Sequence, residues 1–480
     1  MRHLLTFALL LTIASPLLAE APVLRNELGG LIEPAIDWST YPKPAKTGKL
    51  TDELKHPKTN AFIMKYLMWA PEKLAEKKHM GLLVCFHGMR GNETHFGFAY
   101  DSMKAAGLAD RYVVISLKSK GLGWAKEDES DVLKTIDWVK STYPIDPRRV
   151  FIWGMSNGGW MVSDFGGKHQ DLVAGIVRYC GGTPTAPTVK DAATTQSEYY
   201  LVHGDADDAV PVDGSRNLRR NLLSQGYRFI YREIDGAGHV NIIDHKEVSQ
   251  DVCRWLDALR HKQIPLQADE DKFLRQFTDA KKSAPLLSSA NSWNELLRIG
   301  GAQSGQVVAR AFKSDSAAVR EFAAIACTKA TFAGEDTVEG LAKLLDDKSS
   351  QVREAAIAAL GVAANWRSNT AQLALGKLAL KKKGDLGERG AAATVLAAAI
   401  EMPMLGNFDD DVASFQAITG LLDVEEKTLR EVAFAPLKKA VKDGLGYDPT
   451  VTAKERAGAI AKWQQWFSER NKAADKTAAR

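Results

Sequence analysis

The sequence predicts an α/β domain, built on a mostly parallel sheet with helices on both faces, followed by an all-α domain. From about Ala61 to Leu259, strand-like apolar runs alternate with helical stretches, a pattern typical of parallel sheets covered on both faces. After Ser292 the strand signals end, and segments rich in Ala and Leu recur at helical spacing. The chain has 480 residues, 45% of them hydrophobic, so it can form two such domains.

The N-terminus has the features of an export signal. A basic start is followed by the apolar run Leu4–Leu18 and by the small residues Ala19 and Ala21. This run is shorter than the roughly 20 residues that a membrane-spanning helix needs. We therefore expect a signal peptide over residues 1–21, cleaved after Ala19 or Ala21, and no membrane span afterwards. The mature protein would be secreted or periplasmic, with residues 22–60 as an N-terminal extension.

Charge and cysteine content narrow the possible ligands. The formal net charge is +4, and no dense Lys/Arg block is interleaved with aromatic residues, so nucleic-acid binding is not expected. The four cysteines have no metal-type spacing, so no metal site is predicted. We expect them to be free, buried thiols: Cys85, Cys180, Cys253 and Cys327.

The predicted catalytic domain covers residues 61–262. Helical stretches such as Asp131–Ser141 carry apolar residues on one face. The predicted strands are Phe62–Trp69, Leu82–Phe86, Tyr112–Leu117, Val150–Trp153, Ala174–Tyr179, Tyr199–Val202 and Phe229–Ile234.

A nucleophilic serine is predicted directly after one of these strands. The run Gly154-Met155-Ser156-Asn157-Gly158 follows Val150–Trp153 and precedes a helix, which is the context of a nucleophile elbow. Glycines two residues before and after the serine relieve the crowding of so tight a turn. A serine hydroxyl is a weak nucleophile until a base removes its proton, so a base and an acid should follow later in the chain.

The acid has three candidates, Asp205, Asp207 and Asp208. All follow the strand Tyr199–Val202, at the same edge of the sheet as Ser156. Residues at the carboxyl ends of parallel strands meet at one edge, so any of the three has access to the site.

The predicted base is His239. It follows the last strand in the run Asp235-Gly236-Ala237-Gly238-His239, where two glycines let the chain fold back toward Ser156. The main rival is His245, which lies inside a predicted helix over Asn241–Leu256. An oxyanion hole is expected from the backbone N–H groups of Met89, in the turn after Leu82–Phe86, and of Asn157.

These residues resemble the α/β-hydrolase superfamily. The run from His203 to Pro211 is similar to its HGxxDxxVP segment, and this resemblance implies that Asp207 is the acid. The run Tyr143–Val150 and the elbow after it resemble polyhydroxybutyrate depolymerase-like, feruloyl and acetylxylan esterases. The resemblance implies ester hydrolysis without a metal or organic cofactor. Two departures are Trp160, where a small residue is common, and cysteines that do not match the disulfides of secreted depolymerases.

Substrate access is expected to be open. Only a short connection separates the strand ending at Tyr179 from the one starting at Tyr199, so a large lid is not expected. His95, Trp124 and Trp160 are candidates to line the substrate pocket, although both tryptophans are equally compatible with packing roles.

The C-terminal half repeats itself. Val319-Arg320-Glu321 returns as Val352-Arg353-Glu354, with further copies around Arg389 and Arg430. Such units bury their apolar faces by stacking. The copies resemble HEAT repeats. We predict a linker over residues 263–290 and a HEAT-like solenoid over residues 291–480, which offers a surface for a protein partner.

The sequence therefore predicts an exported serine carboxylic ester hydrolase that acts through an acyl-enzyme on small or polysaccharide-linked acyl esters. One alternative is a serine peptidase resembling prolyl oligopeptidase, which shares the HGxxDxxVP and GxGH features. Such peptidases usually carry a large N-terminal propeller, and only some 40 residues precede the predicted sheet here. Another alternative is a repeat-based binding protein with an inert hydrolase domain.

Overall fold

A computed structural model describes residues 25–26, 28–40, 45–74, 79–182, 197–278, 280–329, 334–401, 412–441 and 443–478. The predicted signal peptide lies outside the described residues. So does nearly all of the predicted short connection between Tyr179 and Tyr199. Among the residues that the structure describes, no helix combines the length and the apolar character needed to cross a bilayer.

The catalytic half is one eight-stranded sheet in the order β1-β2-β4-β3-β5-β6-β7-β8. β2 pairs antiparallel with β1 and β4, and all other neighbours are parallel. This topology confirms the predicted α/β-hydrolase fold. The strands are β1 (Gly48–Lys55), β2 (Phe62–Ala70), β3 (Met80–Phe86), β4 (Tyr112–Lys118), β5 (Ile145–Met155), β6 (Gly175–Tyr179), β7 (Glu198–Gly204) and β8 (Phe229–Ile234).

One strand was missed by the sequence analysis. β1 lies within residues 22–60, which were predicted as an extension outside the sheet. Its sequence GKLTDELK is polar, and Leu54 is its only fully buried residue, because the strand forms an exposed edge of the sheet. An edge strand with one buried position gives no apolar signal.

Helices cover both faces of the sheet, as predicted. Along β3, Leu82, Val84 and Phe86 face one apolar cluster, whereas Leu83 and Cys85 face the other. The first cluster contains residues of α2, α3 and α4, and the second contains residues of α1 and α5. The helices are α1 (Gly97–Ala105), α2 (Glu129–Thr142), α3 (Asn157–Lys168), α4 (Asp213–Ser224) and α5 (Lys246–Ala258).

The C-terminal half is helical, which confirms the predicted fold class. α10, α12, α14 and α16 pack side by side in one layer, and α11, α13 and α15 form a second layer with α17 against α15. The helices are α6 (Ala268–Arg275), α7 (Ala280–Leu287), α8 (Ala290–Ile299), α9 (Gly301–Ala311), α10 (Ala317–Lys329), α11 (Glu335–Leu344), α12 (Ser350–Asn365), α13 (Asn369–Ala379), α14 (Leu386–Glu401), α15 (Val412–Gly420), α16 (Lys427–Ala440) and α17 (Ala453–Ala478).

A ladder of ion pairs explains why Arg recurs in the repeated sequence. The Arg320 guanidinium lies 2.6 Å from a carboxylate oxygen of Asp347, and that of Arg353 lies 2.7 Å from Glu388. Each pair joins one helical hairpin to the next. The assignment of these hairpins to the HEAT family stays a prediction.

The predicted linker over residues 263–290 is mostly helical. α6 and α7 occupy it, and Glu270 on α6 is fully buried, where it accepts hydrogen bonds from Arg148 of the catalytic half and from Arg298 of α8. This stretch therefore joins the two halves through side-chain contacts as well as through the chain. The four cysteines are buried and unpaired.

Candidate active site

Ser156 lies in the turn between β5 and α3. Its backbone has φ 57° and ψ −121°, a conformation that non-glycine residues rarely adopt outside such functional turns. The turn depends on two glycines. A β-carbon on Gly154 would lie 2.1 Å from the carbonyl oxygen of Gly158, so no larger residue fits there without backbone movement. The structure thus places Ser156 at a strained strand-to-helix turn, half-buried at the sheet edge.

Asp207, the predicted acid, follows β7. Its Oδ1 accepts hydrogen bonds from the backbone N–H groups of Ala209 and Val210, at 3.0 and 2.7 Å. Its Oδ2 lies 2.7 Å from Nδ1 of His239. Burial alone raises the pKa of the Asp207 carboxyl, but the hydrogen bonds from Val210 and His239 outweigh it and lower the pKa below its ordinary value. Asp207 is therefore a carboxylate at neutral pH.

The two competing aspartates lie elsewhere. Asp205 is exposed and accepts a hydrogen bond from the backbone N–H of Gly236, at 2.7 Å. Asp208 is also exposed. Of the three candidates, only Asp207 forms a described hydrogen bond to His239.

His239 follows β8 and is oriented by Asp207. Because a carboxylate only accepts hydrogen bonds, Nδ1 of His239 carries the proton in this pair, and Nε2 presents its lone pair. Within the described contacts, Ser156 Oγ makes no hydrogen bond to His239. The contact predicted between acid and base is present, and catalytic hydrogen bonds commonly tighten only when substrate binds.

His245 lies apart from this pair. It was predicted inside one helix over Asn241–Leu256. The structure instead has a short 3₁₀ helix over Asn241–Asp244 and then α5, with His245 between them. Its Nδ1 lies 3.5 Å from Glu247, and it forms no described contact with Asp207.

The predicted oxyanion hole lies beside Ser156. Asn157 is the first residue of α3, so its backbone N–H has no acceptor within the helix. Met89 lies in the turn after β3, and a β-carbon on the adjacent Gly88 would lie 3.2 Å from that of Ser156. The turn after β3 therefore approaches the nucleophile closely enough to offer a second N–H donor.

Trp124, a candidate substrate residue that was equally compatible with a packing role, packs in the core. It is 4% exposed, and its ring packs edge-on against Phe86 with centroids 4.9 Å apart. Its Nε1–H donates to the carbonyl oxygen of His87 at 3.0 Å, and its backbone N–H donates to Oδ1 of Asn157. Trp124 thus joins the two segments that carry the proposed oxyanion donors.

The other two predicted substrate residues keep some accessible surface. Trp160 on α3 is half-buried and packs against the core cluster that contains Phe165. His95 is exposed in the turn before α1. Neither forms a described hydrogen bond with the triad, and their contact with substrate stays a prediction.

The sequence analysis missed the polar side chains behind Asp207. His203 and Arg178 are both fully buried. The available signal was one arginine inside the otherwise apolar strand β6. Cys180, His203 and Asp207 each have a potential metal-ligand atom within 4.8 Å of the others. Both ring nitrogens of His203 lie within hydrogen-bond distance of protein oxygen atoms, however, so this trio does not fit a metal ion.

Comparisons with known proteins find similarity to hydrolases. The family model described as the prolyl oligopeptidase family matches residues 121–200. A curated relative, the putative esterase NocK of Nocardia uniformis subsp. tsuyamanensis, is 27% identical over 173 residues, covering 33% of this chain and 48% of that protein. The chain therefore spans about half the length of this relative.

Two solved structures are similar to about two fifths of the chain. A thermostable esterase has a TM-score of 0.37 at 20% identity, covering 44% of this chain and 63% of that one. A ferulic acid esterase has a TM-score of 0.36 at 18% identity, covering 43% and 98%. The family match and the curated relative support the prediction of a serine hydrolase.

Proposed function

We propose that the chain is an exported serine esterase that hydrolyses carboxylic esters through Ser156, His239 and Asp207. The observation that carries this proposal is the 2.7 Å contact between His239 and Asp207, with Ser156 in a strained turn at the same edge of the sheet. The curated relative, named as a putative esterase, supports the same reaction.

In the acylation step, Nε2 of His239 accepts the proton of Ser156 as Oγ attacks the ester carbonyl carbon. The carbonyl oxygen becomes an oxyanion, and the N–H groups of Met89 and Asn157 donate to it. Asp207 stabilises the imidazolium that forms. The tetrahedral intermediate then expels the alcohol, which takes the proton from His239, and an acyl-enzyme remains on Ser156.

In the deacylation step, a water molecule replaces the alcohol. His239 accepts its proton as the water oxygen attacks the acyl carbon, and the second tetrahedral intermediate again places negative charge on the same oxygen. Collapse releases the carboxylic acid and returns the proton to Ser156.

Hydrolysis of p-nitrophenyl acetate by the full chain tests this reaction. We expect turnover by the wild type and a loss of roughly 10⁴-fold or more in kcat for Ser156→Ala. Ser163→Ala, on the same helix, is the matched control and should stay active. His239→Gln should be as impaired as Ser156→Ala, whereas His245→Gln should not. Equal rates for the wild type and Ser156→Ala would refute the proposed esterase activity. They would favour the alternative of a binding protein with an inert hydrolase domain.

A peptidase is the second candidate, because the matching family is named for oligopeptidases. Because peptide bonds have a poorer leaving group than esters, both enzyme classes cleave esters, and efficient turnover of an amide is what distinguishes a peptidase. Parallel assays on acyl esters and on N-acyl-alanine p-nitroanilide should show a strong preference for the ester. A higher kcat/KM for the anilide would assign the chain to peptide hydrolysis.

The acyl substrate is proposed to be small or linked to a carbohydrate, on the resemblance of residues 143–150 to feruloyl and acetylxylan esterases. A screen over acetylated sugars, feruloylated sugars and short acyl esters tests this. Export is tested by N-terminal sequencing of the mature chain, where cleavage after Ala19 or Ala21 is expected. Recruitment of a protein partner through the helical repeats stays a prediction.

A further inference from the structure

A buried chain of polar side chains leads from the middle of the sheet to Asp207. Arg178 of β6 lies 2.6 Å through Nη1 from Oγ of Ser215 on α4. Oγ of Ser215 lies 2.6 Å from Nδ1 of His203 on β7, and Nε2 of His203 lies 3.2 Å from Oδ2 of Asp207. Arg178, Ser215 and His203 are all 0% exposed.

The chemistry of these groups allows one arrangement of hydrogens. An arginine only donates, so the Ser215 hydroxyl accepts from Arg178 and directs its own hydrogen to Nδ1 of His203. Nε2 of His203 lies 2.9 Å from the carbonyl oxygen of Val210, which only accepts. Nε2 therefore carries the ring proton. Nε2 also lies 3.2 Å from Oδ2 of Asp207, the same oxygen that receives Nδ1–H of His239, so the polarised N–H lies beside that carboxylate.

The surroundings of these polar side chains keep His203 neutral. Burial lowers the pKa of His203 below its ordinary value, and the nearby Arg178 lowers it further. Burial also lowers the pKa of Arg178, to about 10, so the guanidinium stays charged at neutral pH. Cys180 faces Asp207 from the end of β6, and burial together with that carboxylate raises its thiol pKa to about 12. Asp207 therefore faces two imidazoles and one protonated thiol, with one buried cation behind them.

We propose that Arg178, Ser215 and His203 are positioning residues: Arg178 and Ser215 fix His203 as its Nε2–H tautomer, and this buried N–H, with Nε2 3.2 Å from Oδ2 of Asp207, holds the carboxylate in place for His239. This inference rests on the proposed function. None of the three touches the reacting atoms. Their effect on the reaction passes through the orientation and charge of Asp207, as in other sites where a partner behind a catalytic group sets its geometry.

A purely structural role would give a different result. A core hydrogen-bond network affects folding stability and leaves the ionisation of the base unchanged. A positioning role changes both kcat and the pH profile. Removing the polarised N–H from beside Asp207 leaves more uncompensated negative charge facing His239, which favours the protonated imidazole. The acid limb of the kcat/KM profile should then move to higher pH.

The test uses His203→Phe, which keeps a ring and removes both nitrogens, and His203→Gln, which keeps an N–H donor. For His203→Phe we expect a roughly 10–100-fold fall in kcat, a KM within about twofold, and an acid limb at higher pH. His203→Gln should recover most of the rate. Ser215→Ala, which is the milder change, should shift the profile in the same direction by less. The matched control is His261→Phe, because His261 is also buried and bonds a backbone carbonyl, yet it lies away from the triad.

The outcomes separate this inference from the proposed function. A wild type without esterase activity would refute the function. The ring NMR titration of His239 in the full chain without substrate, assigned through His239→Gln, would then decide the inference alone. If His203→Phe does not fold, Ser215→Ala decides. The positioning role would be overturned if folded His203→Phe or Ser215→Ala kept the wild-type kcat, the wild-type pH profile and the wild-type titration of His239.

Discussion

The carbonyl oxygen of Phe86 lies 2.0 Å from the position that a β-carbon on Gly158 would occupy. The end of β3 and the start of α3 thus meet with no side chain between them. This contact brings the turn after β3, which carries Met89, beside Ser156. The proposed oxyanion hole therefore depends on a glycine whose role is to let two backbones approach.

Gly158→Ala tests this dependence. The added methyl group overlaps a backbone oxygen, so the turn after β3 must move away. We expect a loss of about 3 kcal/mol or more in the free energy of unfolding, and a fall of roughly 100-fold or more in kcat. Urea unfolding and p-nitrophenyl acetate turnover measure the two effects. Gly97→Ala is the control, because nothing lies within 4 Å of its β-carbon position. Similar behaviour of the two variants would contradict the argument.

Glu129 makes a pH-dependent contribution to the stability of the catalytic half. Its Oε1 lies 2.9 Å from Nε2 of His169 and accepts the backbone N–H of Leu31 at 2.8 Å. Burial raises its pKa, but the hydrogen bonds from His169 and Leu31 and the charge of Lys168 lower it to about 2, from the model-compound value of 4.5. Because the folded pKa is the lower one, the unfolded chain binds the proton more readily. This stabilisation is present above pH 4.5 and is lost as the pH falls toward 2.

Glu129→Gln should therefore remove part of the pH dependence of stability. We expect the wild type to lose on the order of 2–3 kcal/mol more than the variant between pH 5 and pH 2, in urea unfolding at a series of pH values. Glu127→Gln, an exposed glutamate two residues earlier, should follow the wild type. Parallel curves for the wild type and Glu129→Gln would contradict the role assigned to this carboxylate.

The two halves of the chain share a buried polar contact. Arg232 of β8 is 0% exposed, and its Nη2 donates to the carbonyl oxygen of Asn365 at 2.7 Å. The Asn365 side chain donates to Asp251 of α5 at 3.0 Å, and Nε1–H of Trp366 donates to the same carboxylate at 3.1 Å. The helical half therefore contributes partners to an ion pair of the catalytic half.

Asn365→Ala should weaken the docking of the two halves. It removes a donor from Asp251 in a buried setting, which costs about 1–3 kcal/mol. Calorimetry should show a lower melting temperature for the catalytic half, and the transitions of the two halves should move apart. Asn369→Ala changes an exposed amide on the next helix and is the control. Unchanged melting of Asn365→Ala would mean that these contacts do not couple the two halves.

The sequence predicted the parallel strands and the residues around the turn at Ser156 because their signals are local. A buried parallel strand is a continuous apolar run, and a tight turn needs glycine. β1 escaped detection because it has one fully buried residue. The sequence left the packing and substrate roles of Trp124 open because its burial depends on Phe86 and on Asn157, which lie far away in sequence. The buried polar side chains that lead from Arg178 to Asp207 belong to three elements, and only the folded topology brings them together.

The recurring arginines of the helical half give the last prediction. Nη1 of Arg353 donates to the carbonyl oxygen of Asp347 at 2.7 Å, while its Nε bonds to Glu388 of the next hairpin. Arg353→Met keeps much of the aliphatic length and removes both contacts, so a carbonyl and a carboxylate lose their partner. We expect a loss of about 1–2 kcal/mol in the unfolding of the helical half, measured by urea titration. Arg310→Met, at an exposed position on α9, should cost far less. Equal costs would mean that the ladder does not stabilise the stack, because the arginine would then act only through its aliphatic chain.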